Sequence, residues 1–154
     1  MATIHVCAAR RVDASAETVY GYLADMREHH PRFLPSAFSE FEVESGGVGQ
    51  GTITRFKVTA GGRTHEYRMR VAEPEPGRVL TESDMDSSLV TTFTVTPQDT
   101  AARVEICTTW KGAAGIGGFF ERLFAPRVMR GIYADELERL NAYARQRAAS
   151  DFRS

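Results

Sequence analysis

The chain has 154 residues, 42% hydrophobic and 25% charged, and its 19 basic against 20 acidic residues leave a formal net charge of −1. That length supports one domain whose core folds without disulfide or metal scaffolding, and the composition excludes wholesale disorder. The balanced charge gives no basis for nucleic acid or an anionic membrane as partner, and no run approaches the ~20 apolar residues of a stable membrane insertion.

Residues 3–12 read as a strand, because Ile4, Val6, Ala8 and Val12 share one parity. Ser15 is a helix N-cap with Glu17 in the favourable first turn, and Val19, Tyr22, Leu23 and Met26 follow at helical spacing. His30-Pro31 stops that helix, and a short second helix is expected around Phe33-Leu34, bounded by Pro35. From Phe38 to Lys111 the period becomes two, broken by turn residues at Gly46–Gly51, Gly61-Gly62, Pro74–Gly77, Asp86–Ser88 and Pro97–Asp99. Six consecutive strands result, and short links make them antiparallel neighbours. A glycine-rich stretch, Gly112 to Gly118, leads to a helix expected from Pro126 to about 146, with Met129, Ile132, Tyr133, Leu137, Leu140 and Ala144 as its apolar stripe. Residues 1–148 form a single domain and 149–154 a flexible tail. Met1–Arg11 carries no signal-peptide pattern, so a cytoplasmic location is expected.

The turns also set a register. A Gly61-Gly62 hairpin places Val58 opposite His65, Phe56 opposite Tyr67 and Thr54 opposite Met69; Lys57 then meets Glu66, and Arg55 meets Arg68. Centring the next turn on Glu75 pairs Val71 with Val79, Met69 with Thr81 and Tyr67 with Ser83. A turn centred on Ser87 pairs Ser83 with Thr91, and the last hairpin pairs Thr91 with Thr108 and Leu89 with Trp110. One covered row then reads Phe56, Tyr67, Ser83, Thr91, Thr108. An aliphatic core would not place a phenol and three hydroxyls there. Two readings stand: threonines bonded to nearby backbone in a packed interior, or the wall of a cavity holding water or a ligand.

The order of elements, with Val12-Asp13-Ala14, Glu17-Thr18-Val19-Tyr20, Leu23-Ala24-Asp25, Pro31–Pro35, Thr92–Pro97 and Glu136–Leu140, resembles the START/Bet v1-like (SRPBCC) superfamily. Within it the chain resembles the bacterial polyketide cyclase/dehydrase and lipid-transport-like family. The resemblance implies an α+β helix-grip fold. A seven-stranded curved antiparallel sheet, with two short helices after the first strand, grips a long C-terminal helix over a hydrophobic cavity. In such a fold the first and last strands are neighbours, which brings Cys7 and Cys107 near each other on the face away from the cavity. Two reduced thiols are the expectation there, since two cysteines make neither a disulfide framework nor a four-ligand zinc site.

Three functions remain. The first is binding of a hydrophobic, partly oxygenated small molecule (lipid or polyketide-like) by Phe56, Tyr67, Met69, Thr81, Ser83, Met85, Thr91, Phe93, Thr108, Trp110, Phe120, Phe124 and Ile132. The second is a cyclase, aromatase or dehydratase in the same cavity, without cofactor, in which Tyr67 or His65 moves protons. The third is a protein-interaction module with a closed cavity, marked by an apolar patch at Phe119–Phe124. No metal is expected: His29-His30 are adjacent and so do not face one site, and His5 is isolated on its strand. Neither glycine-rich stretch fits a phosphate-loop spacing. Oligomeric state is not legible.

Overall fold

The computed structural model describes residues 3–60, 62–111 and 115–153, with the side chains of 115–125 and 153 outside the description. Strand β1 (Thr3–Val12) is followed by α1 (Ala16–Ala24), a 3-10 turn (His30–Phe33), and strands β2 (Phe38–Ser45), β3 (Ile53–Ala60), β4 (Arg63–Glu75), β5 (Val79–Asp84), β6 (Val90–Gln98) and β7 (Ala101–Lys111). A 39-residue helix, α2 (Gly115–Arg153), ends the chain. All strands are antiparallel neighbours in one sheet of order β1-β7-β6-β5-β4-β3-β2.

Local chemistry starts and stops these elements. The Ser15 hydroxyl accepts from Thr18 N at 3.2 Å, capping α1, which buries Val19, Tyr20, Leu23 and Ala24. The expected second helix is only a four-residue 3-10 turn, because Pro31 and Pro35 leave no room for a longer one. Helix α2 begins well before Pro126, which therefore lies inside it and not at its first turn. It also runs past residue 146, to Arg153, and the described side chains beyond Ala144 are exposed. Leu137, Leu140 and Ala144 pack into the core with Val6, Val12, Leu23, Phe93, Val104 and Ile106. Asp13 N donates to Asn141 Oδ1 at 2.8 Å, tying the end of β1 to α2.

The β3–β4 register is as expected, including Phe56 opposite Tyr67, Val58 opposite His65 and the like-charged pair Arg55/Arg68. Glu44 relieves that repulsion: its carboxylate lies 3.1 Å from Arg55 Nε and 2.7 Å from Arg68 Nε. The β4–β5 register is not as expected. Glu75 pairs with Val79 across a tight turn through Gly77 (φ 85°), a bulge intervenes between Ala72 and Glu75, and Val71 faces Glu82, three residues from the expected Val79. An odd displacement turns a strand over. Leu80, Glu82 and Asp84 therefore face inward, and Thr81 and Ser83 do not. The β5–β6 pairing is displaced by one, with Glu82 opposite Thr91, which returns β6 to its expected face. From there Thr91/Thr108 and Phe93/Ile106 pair as expected.

The glycine-rich loop after β2 is held tightly against α1. Met26 N donates to Gly47 O at 2.8 Å and Gly49 N to Ala24 O at 3.0 Å. A Cβ on Gly49 (φ 69°) would meet a Glu73 oxygen at 2.2 Å, so this glycine permits close packing. Cys7 and Cys107 stand directly opposite across β1 and β7 with Cα atoms 4.2 Å apart, and their sulfurs are bonded. The expectation of two reduced thiols is corrected, because the register alone brings them within bridging reach. His5, read as isolated, lies beside the pair, its Nε2 3.2 Å from Cys7 Sγ.

Candidate ligand cavity

The sheet curves away from α2 and leaves a cavity of ≈ 870 Å³ between them. Phe38 and Phe41 from β2, Phe56, Val58 and Ala60 from β3, and Arg63, His65, Tyr67 and Met69 from β4 line one side. Glu82 from β5, Thr91 and Phe93 from β6, and Leu89 just before it continue the wall. Helix α2 contributes Val128, Met129, Ile132, Tyr133 and Glu136, and His30 and Leu34 close the end by the 3-10 turn. Phe56 is the centre of an aromatic group, with ring centroids 5.4 Å from Phe38, 6.0 Å from Phe41 and 5.8 Å from Tyr67.

Of the residues expected from sequence, Phe56, Tyr67, Met69, Thr91, Phe93 and Ile132 line this space, as does His65 at its exposed margin. Thr81 and Ser83 are corrected, because the turned-over β5 directs them to the other face. Met85 is also corrected: it lies in the exposed β5–β6 turn, 36% accessible. Thr108 and Trp110 are buried in the sheet but do not border the cavity. Phe120 and Phe124, and the Phe119–Phe124 patch, lie outside the described side chains.

Sequence reasoning missed the polar floor. Glu82 and Glu136 are 8% and 3% exposed, and no hydrogen bond or ion pair among the described residues reaches either carboxyl. Among the described residues only the Thr54 hydroxyl is sealed away without a partner, so the carboxyl oxygens open onto the cavity. Burial raises the Glu82 pKa from 4.5 to about 7. Burial, then the neighbouring Glu82 and Asp135, hold Glu136 well above the ordinary carboxylate range. Beside them Thr91 and Thr108 share a 2.7 Å hydrogen bond, and the Tyr133 hydroxyl bonds to Thr108. Burial pushes the Tyr133 phenol up, so it stays neutral. The expected hydroxyl row is thus partly present. Thr91 and Thr108 hold their places, Glu82 replaces Ser83 beside Thr91, and Tyr133 joins from the helix.

His30 is the other missed group. It is 2% exposed, packed against Phe33 and edge-on to Phe93. Its Nδ1 lies 2.7 Å from Leu23 O, and a carbonyl only accepts, so Nδ1 carries the proton and Nε2 a lone pair. Burial lowers its pKa from 6.5 to about 4, which keeps the imidazole neutral. Its neighbour His29 faces elsewhere, with Nδ1 2.6 Å from the Tyr143 hydroxyl. One signal for Glu136 was available: it lies three and four residues from Tyr133 and Ile132, on the apolar stripe itself.

A family model described as polyketide cyclase / dehydrase and lipid transport matches residues 3–145. The solved KanY protein is similar at 32% identity and a TM-score of 0.84, over 94% of this chain and 99% of that one. The Zhui aromatase/cyclase from Streptomyces sp. R1128 shares 18% identity with a TM-score of 0.79, over 96% of each chain. A major latex-like protein from Panax ginseng shares 11% identity with a TM-score of 0.72, over 92% of this chain and 97% of that one, a likeness of fold alone. No curated protein matches the sequence. Sheet, gripping helix, cavity and family model agree: the chain belongs to the polyketide cyclase/dehydrase and lipid-transport family of the SRPBCC superfamily.

Proposed function

We propose that the protein binds a hydrophobic, partly oxygenated small molecule, lipid-like or polyketide-like, in the cavity between the sheet and α2. The observation that carries this reading is the ≈ 870 Å³ space with aromatic walls and a few convergent polar groups. Native mass spectrometry of cell-purified protein, followed by titration of aromatic polyketides and long-chain amphiphiles, tests it. A retained small molecule is expected, with binding abolished by the space-filling Ile132→Trp. No retained mass and no binding below about 100 μM would overturn it.

A second reading, cyclisation or dehydration of a poly-β-ketone, is favoured by one specific arrangement. Two buried carboxyls with raised pKa values and a neutral imidazole whose Nε2 carries a lone pair border the same apolar space. His30 Nε2 would take a proton from the carbon between two ketones, while Glu82 or Glu136 donates to the developing enolate oxygen. His65, the base considered from sequence, sits at the exposed rim and is the weaker choice. Turnover of a model poly-ketone is expected to fall about 100-fold or more in His30→Gln and Glu136→Gln and to persist in His65→Ala. Equal rates in all four proteins would remove these roles.

A further inference from the structure

Resting on the reading that the cavity holds a hydrophobic ligand, we propose that this ligand carries a basic nitrogen. The cavity is a site for a hydrophobic ammonium ion seated on the carboxyls of Glu82 and Glu136 and surrounded by aromatic rings. Both side chains are more than nine-tenths buried, both line the cavity, and neither has a protein partner among the described residues. A buried acid pair without a cation is costly unless something neutralises it.

The described lining residues do not supply that cation. Arg63 is exposed at the mouth, beside His65 on the same strand. His30, inside, is committed through Nδ1–H to Leu23 O and is held neutral by burial. Tyr133 and Thr91 are neutral hydroxyls already bonded into the Thr108 chain. Phe38, Phe41, Phe56 and Tyr67 line the same space, and an aromatic lining accommodates an ammonium group better than a carboxylate. A fatty-acid carboxylate therefore meets two acids and no buried positive partner. An amine meets two acceptors once one carboxyl gives up its proton to water.

Isothermal titration with three probes sharing one hydrophobic body tests this: 2-(2-naphthyl)ethylamine, 2-(2-naphthyl)ethanol and 3-(2-naphthyl)propanoate. At pH 7.5 the amine is expected to bind about tenfold or more tightly than the alcohol, with the carboxylate weakest. At pH 6, amine binding is expected to release close to one proton, read from buffers of different ionisation enthalpy; alcohol binding releases none. Glu82→Gln and Glu136→Gln, each checked for native fold by circular dichroism, are expected to shrink the ratio of amine to alcohol affinity toward one. Equal affinity for amine and alcohol, or a preference that survives both substitutions together, overturns the inference while leaving the cavity reading standing. Failure of all three probes to bind overturns the cavity reading and the inference with it.

Discussion

Replacing Glu82 with glutamine should make the protein more stable at high pH, by an amount the structure sets. The carboxyl is buried, without an ion-pair partner, and its pKa rises from 4.5 to about 7. The native state thus holds this proton more tightly than the unfolded chain does. The contribution to stability is complete below about pH 4.5 and is lost as pH rises through about 7. The span between those two values corresponds to about 3 kcal/mol. Glutamine keeps the shape and cannot ionise, so wild type and Glu82→Gln should have similar stability at pH 4 and differ by about 3 kcal/mol at pH 8. For a chain of this length that is roughly 6–12 °C in melting temperature. Urea unfolding of both proteins at the two pH values measures it, and taking the difference cancels the titration of groups other than Glu136, whose pKa Glu82 helps to raise. A gap that does not change with pH would refute the placement of an unpaired Glu82 in the cavity floor.

Three other perturbations follow from particular contacts. Cys7→Ser opens a crosslink whose ends are 100 residues apart in sequence, and denaturant unfolding should show a loss of about 2–5 kcal/mol that reduction of the wild type reproduces. Thr108→Val removes the hydroxyl that both Thr91 and Tyr133 bond and leaves them only each other, so it should cost about 1 kcal/mol, and Tyr133→Phe in the same background should change that cost. Glu44→Ala removes the carboxylate that Arg55 and Arg68 share, while Arg55 keeps Glu66 at 3.3 Å; a loss of up to about 1 kcal/mol is expected, shrinking in high salt.

The fold was legible because its signals are local and agree with one another. Ser15 marks the start of α1, Gly61-Gly62 sets the β3–β4 register, and the apolar stripe from Met129 to Ala144 gives the gripping face of α2. The cavity floor was not legible, for a physical reason. A hairpin's register depends on how its turn is built, and the bulge between Ala72 and Glu75 adds one residue to one strand only. Alternation cannot decide the face of β5, because Thr81 and Ser83 fit a covered wall as plausibly as Leu80 and Glu82. His30 escaped notice because a helix-stopping His-Pro pair carries no sign that one ring is drawn inward by a carbonyl seven residues earlier. The disulfide escaped because composition argued against a scaffold, while a single cross-strand bond needs only one coincidence of register.

The bulge before the Gly77 turn also makes the lining of this cavity switchable by length. Losing one residue there would rotate β5 by half a pleat, withdrawing Glu82 and turning the hydroxyls at 81 and 83 inward instead, with no residue of the strand replaced. A single-codon deletion can therefore exchange one of the two floor acids for hydroxyls while Glu136 on α2 stays, so the ligand chemistry of such a scaffold should track the length of this turn as well as the identity of its side chains.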